Sequence, residues 1–125
     1  MDLSLDRPDG FLFVRRVTPT TVTVVDRPLS RSFVLAPDRV VESWPVTSAL
    51  ELDESHVAGM LELKPELVLL GTGERQQFPQ ASFLAGFLRR GVGIEVMDNA
   101  AAARTYGLLA AEGRRVIAAF ILPGK

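Results

Sequence analysis

The fold is decided by residues 65–122, which read PELVLLGTGERQQFPQASFLAGFLRRGVGIEVMDNAAAARTYGLLAAEGRRVIAAFIL. Residues 67–70 form a continuous apolar run, which is typical of a central strand buried on both faces. Residues 94–97, which are apolar except for Glu95, and the apolar run at residues 116–122 follow, and helical patterns separate the three segments. Strands that alternate with helices in this way pair in parallel through right-handed crossovers. We therefore predict an α/β domain with at least two parallel neighbours, in which the strands at residues 94–97 and 116–122 are internal.

Two helices are expected between these strands. Pro79 is well placed to begin the first helix. The first backbone amides of a helix have no partner within the helix, and proline has no amide hydrogen that would be left unpaired. The apolar face of this helix consists of Phe83, Leu84, Phe87 and Leu88. The second helix begins at Asp98 or Asn99, whose side-chain oxygens can accept first-turn amides, and runs to about Glu112.

The first half of the chain has a different character. Pro, Gly, Asp and Ser punctuate short β-branched runs, which is the pattern of antiparallel strands joined by turns. The expected strands are residues 11–17, 21–25, 32–35 and 40–44. A short helix capped by Asp53 should follow them. With 125 residues, the length of one ordinary domain, residues 1–125 are expected to form a single domain.

The composition excludes several classes of function. There is no cysteine, which removes disulfides, thiolate nucleophiles, iron–sulfur clusters and cysteine zinc sites. The single histidine argues against an imidazole metal site. We therefore expect neither a metal nor another cofactor. A net charge of −1 likewise predicts no nucleic-acid surface.

The sequence shows no sign of targeting or of membrane insertion. Asp2, Asp6 and Asp9 stand where a secretory or mitochondrial leader would be basic and poor in acids. The longest apolar run, residues 116–122, is far shorter than the roughly 20 residues that span a bilayer. A soluble cytoplasmic protein with no membrane span is therefore expected.

The strongest candidate site lies at two strand ends, Gly71-Thr72-Gly73 and Met97-Asp98-Asn99. If the strands are parallel, both turns lie at the carboxyl edge of the sheet, where open α/β sheets bind ligands. Two helix starts with unpaired amides, and glycines that permit close approach, would suit a small anion or a phosphate. The same features also suit a turn with close packing, because GxGxxG would need a glycine where Gln76 stands.

Asp98 and Glu95 each allow two interpretations. Asp98 can be a helix cap stabilised by the helix dipole, or a general base or ligand contact. Glu95 is a charged residue in a strand expected inside the sheet, so it must be paired, lie at the surface or titrate abnormally. Arg104, Arg114 and Arg115 are possible partners, and Arg104 is the candidate for a structural ion pair. Thr105 and Tyr106 could extend that polar network, while Tyr106 could equally be a packing residue.

The single Trp44 and the single His56 are less informative. Trp44 could anchor a ligand, although a tryptophan at a strand end is more often part of a core or an interface. His56 falls in the first turn of a short helix and is expected to be solvated.

The order and spacing of residues 65–73, 93–98 and 101–106 resemble those of one family. It includes a mitochondrial respiratory complex I assembly factor, an adipogenesis-associated protein and many small uncharacterised bacterial and archaeal proteins. The resemblance implies a mixed central sheet with flanking helices, an additional antiparallel β portion from the N-terminal half and three layers in all. It also implies a final strand that runs antiparallel to its neighbours.

The family's recurrent positions fall around the site described above. They are Gly71, Thr72, Gly73, Glu95, Asp98, Arg104, Thr105 and Tyr106. The chain departs from the family pattern at Asn99, where threonine is typical, at Ala103, where cysteine is frequent, and at Gly107, where asparagine is usual.

Two functions from different classes remain open. The resemblance and the lack of metal ligands favour a non-catalytic protein-binding or assembly-assisting module, with a protein partner or a homodimer and an exposed apolar patch. The alternative is a small-anion or phosphate-binding protein or enzyme that uses residues 71–73, with Asp98 as base and Arg104 as charge clamp. In that case the pocket would comprise Gly71, Thr72, Gly73, Asp98, Arg104, Thr105 and Tyr106.

Overall fold

The computed structural model describes residues 10–124, and the acidic positions Asp2, Asp6 and Asp9 lie outside them. The strands within these residues are β1 (Val14–Val17), β2 (Val22–Val24), β3 (Arg27–Leu29), β4 (Phe33–Ala36), β5 (Arg39–Val41), β6 (Leu67–Gly71), β7 (Gly93–Met97) and β8 (Val116–Phe120). The α-helices are α1 (Val57–Leu61), α2 (Ala81–Leu88) and α3 (Asn99–Ala111). Single 3-10 turns at Ala49–Glu51 and Glu54–His56 precede α1.

The strands form two sheets. β1, β2 and β3 make a small antiparallel sheet, and the remaining five are ordered β5-β4-β8-β6-β7. β6 pairs in parallel with both β7 and β8, whereas β4 pairs antiparallel with β5 and β8. The expected mixed central sheet with an additional antiparallel portion is confirmed. The final strand, β8, was expected to be antiparallel to its neighbours. It is antiparallel to β4 but parallel to β6.

The five-stranded sheet separates two apolar cores. On one face, Leu69 and Ala118 pack with Tyr106 of α3 and with the small sheet. On the other face, Val68 and Leu70 pack with α1 and α2. The three layers expected for the domain are therefore present. None of the described helices is long and apolar enough to cross a membrane.

The prediction that β7 lies inside the sheet is wrong. α3 leads the chain back across β6, so β8 joins the far side of β6 and leaves β7 at the edge. Glu95 at the centre of β7 is therefore exposed and needs no buried partner. A charge on an edge strand also discourages pairing with the edge of another molecule.

The N-terminal half contains one strand that the sequence did not indicate. β3 includes Pro28, which cannot donate to a ladder, and it accordingly occupies an edge of the small sheet. The strand expected at residues 40–44 is shorter, because β5 ends at Val41.

Candidate functional site

The carboxyl ends of β6 and β7 meet as the parallel pairing requires. Gly71 at the end of β6 lies opposite Met97 at the end of β7. The turn from Thr72 to Gly73 is therefore next to Asp98, at the edge where open α/β sheets bind ligands.

The polar groups of Thr72 form hydrogen bonds within the turn and with the neighbouring strand. Its amide donates to the carbonyl of Met97 at 2.9 Å, which extends the ladder past the end of β6. Its hydroxyl donates to the carbonyl of Arg75 at 2.6 Å and accepts from the amide of Gln77 at 3.0 Å. The buried hydroxyl thus organises the loop that leads to α2.

Asn99 closes the space between the two strand ends. Its Oδ1 accepts from the amide of Gly73 at 3.1 Å, and its Nδ2 donates to the carbonyl of Ile121 at 3.0 Å. Its own amide donates to the carbonyl of Gly73 at 2.8 Å. The side chain is buried and every polar atom of it has a partner. Asn99 therefore ties β6, α3 and the end of β8 together.

Two glycines make room for this arrangement. A side chain on Gly71 would collide with Oδ1 of Asn99 and would stand 3.3 Å from the carbonyl of Ala119. Gly73 has φ +100, which favours glycine over other residues. Both residues are required by the fold, whether or not a ligand binds.

Asp98, rather than Asn99, caps α3. Its Oδ1 accepts from the amide of Ala101 at 2.7 Å, which satisfies one of the donors that a helix start leaves unpaired. The amides of Gly73, Asn99 and Ala101 are therefore all bonded within the protein. Few donors remain here for a phosphate.

An opening of about 250 Å³ remains beside these residues. Gly73 and Asp98 line it, together with Glu74 and the turn at Thr18 and Pro19. Among its described lining residues there is no lysine or arginine, so the two carboxylates make it unfavourable for an anion.

Arg104, Thr105 and Tyr106 are not brought to this opening. At about 1.5 Å of rise per residue, Arg104 lies about 9 Å further along α3 than Asp98, and its side chain is exposed. Thr105 is half-buried. The sequence-predicted pocket is thus divided between the strand ends and the middle of α3.

Tyr106 attaches the N-terminal segment to α3. Its hydroxyl donates to the carbonyl of Leu12 at 2.6 Å, and its ring packs edge-on against Phe11 with 6.4 Å between centroids. Burial raises the pKa of the Tyr106 phenol, and the nearby charge of Asp38 raises it further. The hydroxyl and the ring of Tyr106 are thus both used to hold the N-terminal segment against α3.

The predicted ion pair between Glu95 and Arg104 is not formed. Both side chains are exposed, and the ion pairs among residues 10–124 join other partners. Within the same residues, no three His, Asp or Glu side chains gather closely enough to hold a metal ion.

A larger groove, of about 540 Å³, lies elsewhere, between β5 and α1. Arg39, Trp44, His56 and Met60 are among the residues that line it. Sequence analysis did not find this groove, because its residues come from four separate elements and share no motif. The single tryptophan was the one available signal.

The outer face of α2 is the second feature that sequence analysis missed. We call it the α2 surface, and it comprises Leu50, Phe78, Ala81, Ala85 and Leu88. Leu88 is 63% exposed, Phe78 is 59% exposed and Leu50 is 61% exposed. Gln80 donates to the carbonyl of Leu50 at 3.1 Å, which holds Leu50 beside the start of α2. The spacing of Phe83, Leu84, Phe87 and Leu88 suggested one buried face, but Leu88 points outward.

Comparison with known proteins identifies relatives with assembly functions. The bovine NADH dehydrogenase [ubiquinone] 1 alpha subcomplex assembly factor 3 is 34% identical over 111 residues, which cover 79% of this chain and 60% of the bovine protein. The human protein of the same name is 36% identical over 91 residues, covering 71% of this chain and 49% of that protein. The chain therefore spans only about half to three fifths of these relatives.

A solved structure and a family model also match the chain. The solution structure of a Xanthomonas campestris protein superposes with a TM-score of 0.84 at 48% identity, covering 99% of this chain and 94% of that one. The family described as "Protein of unknown function (DUF498/DUF598)" matches residues 14–121. The chain belongs to the DUF498/DUF598 family.

Proposed function

We propose that this chain is a non-catalytic protein-binding module that assists the assembly of a multisubunit complex. The names of the bovine and human relatives support an assembly-related role. The α2 surface is the observation that carries the protein-binding part. The cytoplasmic location and the homodimer expected from the sequence stay predictions.

The α2 surface fits a protein interface because α2 is apolar on both sides. Phe83 and Phe87 on its inner face are fully buried in the core. A helix that contacts only one core normally carries polar residues on the opposite face. Here that face presents Ala81, Ala85 and Leu88 instead. Clustered exposed apolar side chains of this kind mark interaction sites.

Polar groups border this apolar face, as they do at the rim of a protein interface. Arg89 and Glu54 form an ion pair at 2.6 Å next to the end of α2, and both side chains are more than half exposed. Gln80 borders the other end of the helix. We therefore expect a partner that covers the centre of α2 with apolar side chains.

The experiment tests assembly in the organism that encodes the chain. A strain lacking the gene is complemented with the wild type, with Leu88→Glu, or with Leu108→Glu, and assembled NADH dehydrogenase is measured by native gel electrophoresis. Leu108 is the matched control, because it is 69% exposed but lies on α3. We expect the wild type and Leu108→Glu to restore assembly, and Leu88→Glu to fail.

Three results would contradict the proposal. Assembly could be normal without the gene, Leu88→Glu could restore it fully, or both leucine variants could fail alike. Sedimentation of the purified chain distinguishes a second copy of this chain from a different protein as the partner. If Leu88→Glu dissociates a dimer of the wild type, the α2 surface is occupied by a second copy of this chain and not by a different protein.

A further inference from the structure

The groove between β5 and α1 has an apolar interior. Val34 of β4 and Val41 of β5 form its floor, and Met60 and Leu63 line it from the helical side. Trp44, which is half-buried, adds an aromatic ring. The volume of about 540 Å³ lies within the range of sites that enclose small organic molecules.

Arg39 supplies a cation to this groove. Among the described residues, its one acidic partner within 4 Å is Asp38, at 3.9 Å. The Asp38 carboxylate is engaged by Arg115, whose guanidinium donates to it at 2.7 Å. Partial burial raises the pKa of Asp38, but the hydrogen bond and the charge of Arg115 outweigh burial and hold that pKa below its usual value. Because Asp38 is committed to Arg115, the Arg39 side chain, which is 61% exposed, keeps its donors for another acceptor.

His56 supplies a second donor. Its Nδ1 accepts from the amide of Asp53 at 3.2 Å, so the neutral ring carries its proton on Nε2. This hydrogen bond completes the capping box with Asp53 and fixes the ring at the start of a helical turn. His56 lines the groove and can donate from Nε2 to an acceptor within it.

The remaining charge limits what the groove can hold. Glu62 is the one acidic side chain among the described lining residues, and it would repel a ligand with several negative charges. One cation, one imidazole donor and an apolar interior suit a single anionic group on an apolar body. We propose that this groove binds a small monocarboxylate with an aliphatic or aromatic body, with Arg39 and His56 at the carboxylate and Trp44 and Met60 against the body.

Trp44 makes the proposal directly measurable, because it is the only tryptophan of the chain. Its fluorescence is titrated with octanoate and, in parallel, with octan-1-ol, which has the same chain length and no charge. We expect saturable binding of octanoate at about tenfold higher affinity than octan-1-ol, since hydrogen bonds to a charged group contribute about that factor.

Two variants and one control separate the parts of the site. Arg39→Gln should bring the two affinities together, whereas Arg104→Gln, which changes an exposed arginine on α3, should leave both unchanged. Gly59 lines the groove, and nothing lies within 4 Å of a Cβ position there, so Gly59→Leu starts a side chain without a clash and is chosen to occupy the groove. We expect Gly59→Leu to weaken both ligands.

Several results would overturn the proposal. Octanoate could cause no saturable change up to its solubility limit, or it could bind no better than octan-1-ol. The preference for octanoate could survive Arg39→Gln, or Gly59→Leu could leave binding intact. Amide chemical shifts provide an independent map, and changes centred on Gly73 and Ala100 instead of Ser43 and Gly59 would place the ligand elsewhere.

Discussion

The carboxyl edge of the central sheet and the α2 surface differ in the polarity of their side chains and in whether those side chains are already in contact with the protein. At the sheet edge, Thr72, Asp98 and Asn99 are polar, and their hydrogen bonds are made within the protein. On the α2 surface, Phe78 and Leu88 are apolar and face solvent. The edge has few groups left for a ligand, whereas the α2 surface has apolar area that is not yet covered.

This difference separates residues that build the fold from residues that are available to a partner. Glycines and polar residues at strand ends are often interpreted as ligand sites, and here they hold three elements together. Substitutions at the edge should therefore lower stability, whereas substitutions on the α2 surface should lower binding. The expected effects on stability range from large to negligible.

The largest loss of stability is expected from Gly71→Ala. The added methyl group would displace Asn99 from two hydrogen bonds and press on the carbonyl of Ala119, which should lower the free energy of unfolding by about 3 kcal/mol. Urea denaturation measures this. Gly107→Ala is the matched control, because nothing lies within 4 Å of its Cβ position in α3, and it should raise stability by about 0.5 kcal/mol. Equal stability of the two variants would refute the role given to Gly71.

Asn99→Ala should lower stability by about 2 kcal/mol, somewhat less than Gly71→Ala. It leaves the amide of Gly73 and the carbonyl of Ile121 without their partner and forces no clash. The same denaturation measurement applies. If Asn99→Ala and Gly71→Ala together cost no more than Gly71→Ala alone, the two residues act through one contact. Full additivity would contradict that explanation.

Tyr106→Phe should lower stability by about 1.5 kcal/mol at neutral pH, since the buried carbonyl of Leu12 loses its donor. The pH dependence gives a second test. Burial raises the folded-state pKa of Tyr106 above its ordinary value of 10.0, so the wild type loses stability as the pH rises through and beyond that value. Tyr106 is the only tyrosine, so the phenylalanine variant should lack this component. Parallel alkaline profiles of the two proteins would contradict the assignment.

The smallest effect on stability is expected from Leu88→Glu. Its side chain is exposed and contributes little to the core, so the free energy of unfolding should change by no more than about 0.5 kcal/mol. Thermal and urea denaturation of the isolated chain measure this. A loss comparable to that of Asn99→Ala would show that Leu88 belongs to the fold and would remove the contrast.

Much of the fold follows from residues 65–122, because apolar runs and helix signals alternate there in a regular way. The order of the strands in the sheet does not follow from the sequence, because the sequence does not indicate on which side of β6 the last strand pairs. Because β8 pairs with the side of β6 opposite β7, Glu95 lies on an edge strand and does not need an ion pair with Arg104. The sequence did not predict β3 because this strand contains Pro28, and proline is disfavoured in strands except at the edge of a sheet.

The meeting of the two strand ends could be predicted from parallel pairing, but the contacts made there could not. Asn99 was predicted at this strand end and as a candidate cap of α3, but nothing local indicates that its side chain reaches Ile121, which is 22 residues further along the chain. Likewise, the spacing of Leu84 and Leu88 fits a buried stripe as well as an outer one. Tertiary contacts decide both cases.

The most direct test of this account is hydroxyl-radical footprinting of the chain alone and in complex with the protein partner that the proposed function requires. We expect Leu50, Phe78 and Leu88 to lose reactivity on binding, while Leu108 and Pro19 keep theirs. Pro19 lines the opening at the sheet edge, so its protection would report a ligand or partner there. Protection of Pro19 with no change at Phe78 and Leu88 would contradict the central claim that the α2 surface is the binding face.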